Sequence, residues 1–176
     1  MNNLLQPINK NFLSQLEFKF IINKLPNCNF FVQEANIPGL SASPPLMGSP
    51  FVTMPIASDR MTYNDLRITF KVDEDMQNYT EIVDWLIGIN FPTSGEEHRA
   101  LRNEGRKQQG AGVYSDASLF IMNSHMNKNI EVQFKDCFPI DIEDLNFTTR
   151  SDMVDWLEAT VTFKYLHHTI KRVASS

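Results

Sequence analysis

The sequence predicts a mainly β protein with one helix. Four segments alternate apolar and polar residues with the period of two that marks a strand buried on one face. One long stretch, near residues 76–89, places apolar residues at the 3.6-residue spacing of an amphipathic helix. Strands with one polar face are typical of antiparallel sheets, which leave that face to solvent or to another subunit. We therefore expect an antiparallel sheet with a single flanking helix.

Length and composition fit one globular domain of ordinary size. The chain has 176 residues, of which 42% are hydrophobic and 11% aromatic, well above the composition of disordered chains. A chain of this length buries most of the surface that it exposes when unfolded. We expect one domain over residues 1–176, with an N-terminal arm at 1–13, a long polar loop at 93–112 and a C-terminal tail at 170–176.

Charge and hydropathy exclude several classes of protein. The formal net charge of -5 argues against a general nucleic-acid binder, because neutralising phosphates requires basic side chains. No apolar run approaches the ~18 residues of a transmembrane helix, and the first residues lack the pattern of a signal peptide. Cys28 and Cys137 are far apart in sequence, which predicts buried thiols and neither a disulfide framework nor a zinc site. We expect a soluble protein made in a reducing compartment.

The four alternating segments predict the strands that carry the fold. They are LEFKFIIN at residues 16–23, LRITFKVD at 66–73, IEVQFKD at 130–136 and LEATVTFKYL at 157–166. Weaker strands are predicted at residues 27–35, 51–56 and 118–124. The apolar faces of the strands, together with the helix, predict these core residues: Phe18, Phe20, Ile68, Phe70, Trp85, Val132, Phe134, Val161 and Phe163.

The predicted helix opens with a cluster of acidic residues. Its apolar face comprises Met76, Tyr79, Val83 and Leu86, with Ile82 and Ile89 adjoining. Asp73 and Asp75 are the candidate N-caps, because an aspartate oxygen accepts backbone N–H groups at a helix start and its charge opposes the helix dipole favourably. The enzymatic alternative is a small hydrolase that uses Asp73, Glu74, Asp75 or Asp84, and capping is the interpretation that we favour.

Two stretches have the composition of contact loops. Residues 37–50 (IPGLSASPPLMGSP) hold four prolines and two glycines and predict irregular structure. Residues 93–112 are polar and longer than the connections that compact domains usually contain. We expect both loops to make contacts between subunits or with a surrounding protein. The candidate contact residues are Pro44, Pro45, Leu46 and Met47 in the first loop and Glu96, Glu97, Arg99, Arg102, Arg106 and Lys107 in the second.

Residue types that carry catalysis or bind metals are scarce. His98 and His125 stand apart, and the neighbours His167 and His168 would face opposite sides of a strand, so they cannot ligate one metal together. The chain lacks the common nucleotide-binding, hydrolase, zinc-protease and EF-hand motifs. We therefore expect no catalytic residue, no metal and no cofactor. A nucleic-acid-binding module using the basic residues of 99–107 is a further alternative, weakened by the glutamates and the lack of aromatic residues there.

Three stretches of the chain form a recognisable pattern. The first, ASDRMTYNDLRITFKVDEDMQNYTEIVDWL, is a strand followed by a helix that ends in Asp84 and Trp85. The others are CFPIDIEDLNF at residues 137–147 and the closing strand ATVTFKY at 159–165. With these stretches, most of the chain resembles the tail-tube proteins of contractile-tailed, T-even-like phages. Asp136 stands where that family usually has a glycine.

This resemblance implies a β-barrel or sandwich that assembles with copies of itself into a ring, hexameric in that family. Rings would stack into the inner tube of a tail and contact sheath and baseplate proteins, and DNA would pass through the negatively charged lumen without specific binding. The implied location is the virion, after assembly in the host cytoplasm and without membrane contact. The baseplate-proximal initiator ring and the terminator share parts of the pattern, and the single-domain length favours the main tube subunit.

Overall fold

A computed structural model describes residues 13, 17–58, 60–90, 112–123, 126–148 and 156–173 of the chain. The strands and helices in chain order are β1 (Phe18–Ile22), α1 (Pro26–Phe31), β2 (Val32–Ala35), β3 (Leu40–Ala42), β4 (Leu46–Gly48), β5 (Thr53–Pro55), β6 (Met61–Tyr63), β7 (Leu66–Lys71), α2 (Gln77–Asn90), β8 (Ser115–Met122), β9 (Lys128–Ile142), β10 (Glu158–Lys164) and β11 (His167–Arg172). The predicted class, mainly antiparallel β, is confirmed. No helix in the described part of the chain is long and apolar enough to cross a bilayer.

Seven strands form one antiparallel sheet that divides into two parts sharing β9. Sheet A has the order β1-β8-β9-β11, and sheet B has the order β9-β10-β7-β2. Strand β9 serves both because it is 15 residues long, more than twice the length of a usual strand. Among the described strands, β1 and β2 each pair on one side only, so the sheet does not close into the barrel that we considered.

The passage of β9 from sheet A to sheet B occurs at Asp136. This residue has a φ of 55°, in the left-handed region that glycine adopts without steric cost. The register between β8 and β9 shifts beside it, as in a β-bulge. Asp116 of β8 stabilises the bend by forming an ion pair with Lys135 and accepting the N–H of Asp136 at 3.3 Å. The left-handed φ at this position explains why a glycine is usual there in the family that the sequence resembles. This chain has an aspartate in the same conformation.

The core lies between the two parts of the sheet and under the helices. The predicted core residues are buried except Phe18, which is half-buried and packs against the others. Cys28 and Cys137 are buried free thiols, as expected. Burial, with a smaller contribution from the Glu81 carboxylate, raises the pKa of Cys28 to about 12, and burial likewise raises the pKa of Cys137 to about 12.

Helix α2 lies where the sequence predicts a helix, but its buried face is rotated from the predicted one. The buried residues are Asn78, Ile82, Trp85 and Gly88. The rotation places Trp85 against Phe163 of β10, with ring centroids 6.0 Å apart. The indole N–H of Trp85 donates to the carbonyl of Val113 at 3.0 Å. This single residue therefore connects α2 to the sheet and to the segment that leads into β8.

The start of α2 differs from the predicted capping arrangement. The helix begins at Gln77, so Asp73 and Asp75 precede its first turn, which contains no acidic residue. Met76, with a φ of 53°, occupies the position before the helix. The side chain of Asn78 makes the local hydrogen bonds instead, accepting the N–H of Asp73 at 3.3 Å and donating to the carbonyl of Lys71 at 2.8 Å. A fully buried asparagine thus ties the helix to the end of β7.

The weak strand predicted at residues 27–35 is half wrong. Its first part forms helix α1, and the remainder is β2. Pro26 favours the helix because its fixed φ suits the first turn. Asn29 then accepts the N–H of Ile22 at 2.8 Å and donates to the Ile22 carbonyl at 3.0 Å, which holds α1 against the end of β1. These contacts outweigh the β propensity of the following Phe30 and Phe31.

The C-terminal tail also differs from expectation in part. Residues 170–172, which we assigned to the C-terminal tail, belong to β11 and continue sheet A by pairing with β9. The pairing sets Ile170 beside Val132 and Arg172 beside Ile130. The described chain therefore ends with an edge strand of sheet A, just beyond which lies Val173.

Candidate assembly surface

The proline-rich stretch predicted to be irregular forms a hairpin that projects from the sheet. Strand β3 pairs with β6, and β4 pairs with β5, all antiparallel. The turn is closed by Ser49, whose N–H donates to the carbonyl of Val52 at 3.1 Å and whose hydroxyl accepts the N–H of Val52 at 3.1 Å. Prolines are compatible with a two-stranded ribbon because each strand has one edge that needs no N–H donor. We call residues 40–63 the arm.

The arm exposes an unusual number of large apolar side chains. They are Leu40, Leu46, Met47, Phe51, Val52, Met54, Ile56 and Met61. Phe51 at the tip is 98% exposed and Leu46 is 69% exposed, and the sequence from residue 40 to residue 58 contains no charged residue. Soluble monomers rarely display a contiguous apolar surface of this kind, and exposed strand edges are usually protected by charge. The arm therefore has the composition of a surface that is covered by another protein.

The base of the arm is anchored by a cluster of aromatic rings. Tyr63 of β6 contacts Tyr165 and His168 edge-on, with centroid distances of 5.7 and 5.4 Å. Phe134 of β9 contacts Tyr165 at 5.2 Å, and the hydroxyl of Tyr165 lies 3.3 Å from Nδ1 of His168. Burial lowers the pKa of His168, with a smaller effect from His167, and burial raises the pKa of Tyr165 to about 12. These contacts connect the base of the arm to β9 and β11.

The predicted contact residues of the first loop lie on this arm. Pro44 and Pro45 precede β4, Leu46 and Met47 belong to it, and all are exposed. The carbonyl of Pro45 accepts the N–H of Ile56 at 2.9 Å, which continues the pairing of the ribbon. These residues therefore lie in or next to a paired strand, where the sequence predicted irregular structure. Their contact with another chain stays a prediction.

The second predicted loop and part of the histidine set lie outside the described residues. This applies to Glu96, Glu97, Arg99, Arg102, Arg106 and Lys107, and to His98 and His125. Their proposed contacts, and the nucleic-acid alternative that uses the basic members, stay predictions.

The acidic turn does not have the geometry of an acid–base site. Glu74, Asp75 and Asp84 are exposed to solvent, and Asp84 lies on the outer side of α2. One oxygen of Asp73, Oδ1, is buried without a hydrogen-bond partner in the described structure. No group of three or more potential metal ligands occurs among the residues that the structure describes. His167 and His168 belong to β11, where His168 packs in the aromatic cluster.

Two features thus define the class of protein: an antiparallel sheet whose edge strands have no further partner among the described residues, and an apolar hairpin arm. Both are properties of a structural subunit that completes itself with other chains. The chain belongs to the phage tail tube protein family, whose model matches residues 4–171. No curated protein matches the sequence.

Solved structures of contractile injection systems contain the same fold at low sequence identity. A chain of the sheath–tube complex of the PVC extracellular contractile injection system, in the extended state, is 12% identical with a TM-score of 0.61, over 93% of this chain and 94% of that one. A chain of the anti-feeding prophage baseplate is 10% identical with a TM-score of 0.59, over 95% and 100%. A chain of the anti-feeding prophage tube-terminating cap is 12% identical with a TM-score of 0.55, over 98% and 100%.

Proposed function

We propose that this protein is the subunit of the inner tube of a contractile phage tail, in which six copies form a ring and rings stack into a hollow tube. Membership of the tail tube family supports the tube, and the fold shared with the PVC sheath–tube complex supports a contractile tail. The whole chain, residues 1–176, acts as one domain in this proposal.

The observation that carries the proposal is the exposed arm. Phe51 at the tip of the ribbon is 98% exposed, and an apolar surface of this kind on a soluble protein usually marks a contact with another chain. Repeated copies of one chain supply such a contact, because a head-to-tail contact between identical subunits propagates without limit when it does not close on itself. The arm then bridges subunits, and the loop at residues 93–112 makes the second set of contacts, with the next ring or with the sheath.

The same proposal assigns the partners and the location. The tube is enclosed by sheath proteins and starts from a baseplate in this proposal, which the similarity to chains of a sheath–tube complex and of a baseplate supports. The protein assembles in the host cytoplasm and functions in the virion without catalytic activity and without a cofactor. DNA passes through the lumen, and the net charge of -5 keeps it from adhering, since like charges repel.

Assembly of the purified protein tests the proposal. We expect rings or tubes in negative-stain micrographs and a mass of several subunits by light scattering. Replacing Leu46 and Phe51 by serine should leave the fold intact and prevent the stacking of rings. Leu166→Ser is the matched control, because Leu166 is 64% exposed, close to the 69% of Leu46, but lies off the arm.

The outcomes separate the two parts of the proposal. A wild-type protein that stays monomeric at every concentration would overturn the tube function. Tubes formed equally well by the arm variant would overturn the role of the arm. If Leu166→Ser prevented ring stacking as strongly as the arm variant, the loss would come from removing any exposed apolar side chain and not from the arm.

A second candidate function is the ring that starts or ends the tube. The similarity to a baseplate chain, with a TM-score of 0.59, and to a cap chain, with 0.55, favours it nearly as much as the tube chain with 0.61. The same micrographs distinguish the two functions: a main tube subunit forms long tubes, whereas an initiator or terminator stops at a single ring.

A further inference from the structure

A single side chain of the arm packs against the core, among the residues that the structure describes. Of residues 40–58 and 60–63, Tyr63 alone belongs to the hydrophobic cluster, as a half-buried member. The large apolar side chains in the rest of the arm are exposed, and strands β3 to β6 pair only with one another. Apart from the two backbone connections at its base, the arm is therefore held on the sheet by the contacts of the Tyr63 ring.

A histidine connects the Tyr63 ring to the sheet. The imidazole of His168 contacts Tyr63 at a centroid distance of 5.4 Å, and it contacts Phe134 and Tyr165 at 5.8 Å each. Phe134 and Tyr165 are buried, so the sheet side of this cluster is fixed. Tyr63 also contacts Tyr165 directly at 5.7 Å. Of the four rings, only the imidazole changes its charge near neutral pH.

The surroundings of His168 suit a neutral imidazole. Its Nδ1 lies 3.3 Å from the hydroxyl of Tyr165, a group that can donate to or accept from a neutral ring. No carboxylate pairs with His168 in the described part of the chain. The charged or titratable side chains nearby on the neighbouring elements and on β11 itself are Asp65 paired with Lys164, Asp116 paired with Lys135, Asp136, the buried thiol of Cys137, His167, and Lys171 bonded to Gln133.

We propose that His168 makes the anchoring of the arm depend on pH: the neutral ring holds Tyr63 against the sheet, and protonation releases Tyr63 and lets the arm change direction. An imidazolium in this cluster loses hydration without gaining a carboxylate, whereas release of Tyr63 gives it access to water.

The pH range follows from the two states of the arm. Burial lowers the pKa of His168 in the anchored state, and His167 lowers it further, whereas a hydrated His168 has the ordinary value of 6.5. The anchored state is therefore at full strength well above pH 6.5. Below that pH the ratio of anchored to released arms falls, by at most about tenfold per pH unit, because release takes up one proton.

The consequence for assembly rests on the proposed function, in which the arm contacts another subunit. An arm that changes direction no longer presents Leu46 and Phe51 in the orientation that fits its neighbour. Tubes should therefore dissociate in mild acid at a higher pH in the wild type than in a variant whose position 168 does not titrate.

A distance measurement within one subunit tests the anchor. Spin labels on Phe51→Cys, at the exposed tip, and on Glu143→Cys, at an exposed residue whose N–H bonds to β10, report the direction of the arm relative to the sheet. The native cysteines are buried and should stay unlabelled. Dilution with unlabelled protein restricts double electron–electron resonance to distances within a subunit. We expect a narrow distribution at pH 7.5 and a broader or shifted one at pH 5.5.

Three variants of the labelled protein separate the anchor from general acid effects, with circular dichroism as the check of the fold. His168→Phe keeps an aromatic ring without the proton, and its distribution should stay narrow at both pH values. Tyr63→Leu removes the ring that is held, and its distribution should be broad at both. His167→Gln is the matched control, because it removes the neighbouring histidine, which does not contact Tyr63, and should retain the response to pH.

The outcomes bear on the anchor and on the tube function separately. A wild-type distribution that stays the same or narrows in acid would overturn the anchor, and narrowing would show that the imidazolium binds the tyrosine rings by cation–π attraction. An equal change in His168→Phe would overturn it as well. Either result leaves the tube function in place, whereas a wild-type protein that shows the response but never assembles would overturn the tube function and leave the anchor.

Discussion

Asp116 holds Asp136 at the point where β9 changes sheets. Oδ1 of Asp116 accepts the N–H of Asp136 at 3.3 Å, and Oδ2 of the same carboxylate pairs with Lys135. Asp136 itself has a φ of 55°. One side chain on β8 therefore fixes the residue about which the long strand turns, and the two parts of the sheet depend on this bend for their relative position.

Asp136→Gly should stabilise the protein slightly. A non-glycine residue in the left-handed region costs roughly 1–2 kcal/mol, and glycine removes that cost while losing about 0.5–1 kcal/mol of backbone entropy on folding. We expect the free energy of unfolding in urea to rise by up to about 1 kcal/mol. Asp136→Ala is the control, since it keeps Cβ and should be less stable than the glycine variant. The reverse order would contradict the conformational explanation.

Trp85→Phe should destabilise the protein by about 1–3 kcal/mol, because the carbonyl of Val113 loses its part-buried hydrogen bond and the smaller phenylalanine ring leaves part of the indole's space unfilled. Trp156→Phe is a matched control, because this second tryptophan is 71% exposed. Urea unfolding of both variants measures the difference. Equal losses would show that Trp85 does not connect α2 to the sheet as described.

Acidification should weaken the protein through His168. Burial lowers the pKa of His168 below its ordinary value of 6.5, so the unfolded chain binds the proton more tightly than the folded one. The loss of stability caused by His168 is absent at pH values well above 6.5 and grows as the pH falls through and below 6.5. His168→Phe keeps an aromatic ring among Tyr63, Phe134 and Tyr165, and the variant should lose less stability than the wild type between pH 7.5 and about 5.5.

Unfolding curves of wild type and His168→Phe at the two pH values measure this difference. Both proteins keep His167, and the repulsion between His167 and His168 that helps to lower the pKa of His168 is part of the difference that the comparison measures. An identical loss of stability in the two proteins would refute the assignment to His168.

The two cysteines should resist labelling in the native protein. Burial raises the pKa of Cys28 and of Cys137 to about 12, and the reactive species is the thiolate. Ellman's reagent should react with neither thiol in the folded state and with both after unfolding in urea. Rapid reaction of one equivalent in native buffer would show that one of these sites opens to solvent.

The strands of the main sheet could be predicted because burial of one face imposes a period of two. Ile68 and Phe70, separated by Thr69, and Val161 and Phe163, separated by Thr162, alternate with polar neighbours for this reason. The position of helix α2 was predicted, but its buried face was inferred from the spacing of apolar residues. The burial of Asn78 was not predicted, because asparagine side chains are mostly exposed. No signal in the sequence indicated that its amide would be satisfied by the backbone of Lys71 and Asp73.

One strand of the arm, β5, lies within the weak strand predicted at residues 51–56, but the pairing of the arm could not be predicted, because neither of its faces is buried and its side chains therefore carry no period. Its prolines also suggested irregular structure, since the pairing depends on which N–H groups face outward. The residues that were singled out, Leu46 and Met47, were nevertheless on it. Composition singled out residues of the arm, and only the structure showed that they lie on a two-stranded ribbon.

An arm without a charged residue between positions 40 and 58 also affects how the protein behaves before it is assembled. Newly made chains expose this apolar, uncharged ribbon to water, so they become more prone to aggregate as their concentration rises. In the tube that we propose, growth onto an existing end would remove that ribbon from water, whereas starting a new end would require several exposed copies to meet. Under this proposal the subunit is suited to elongation from a template, and its yield depends on how soon a growing end binds it.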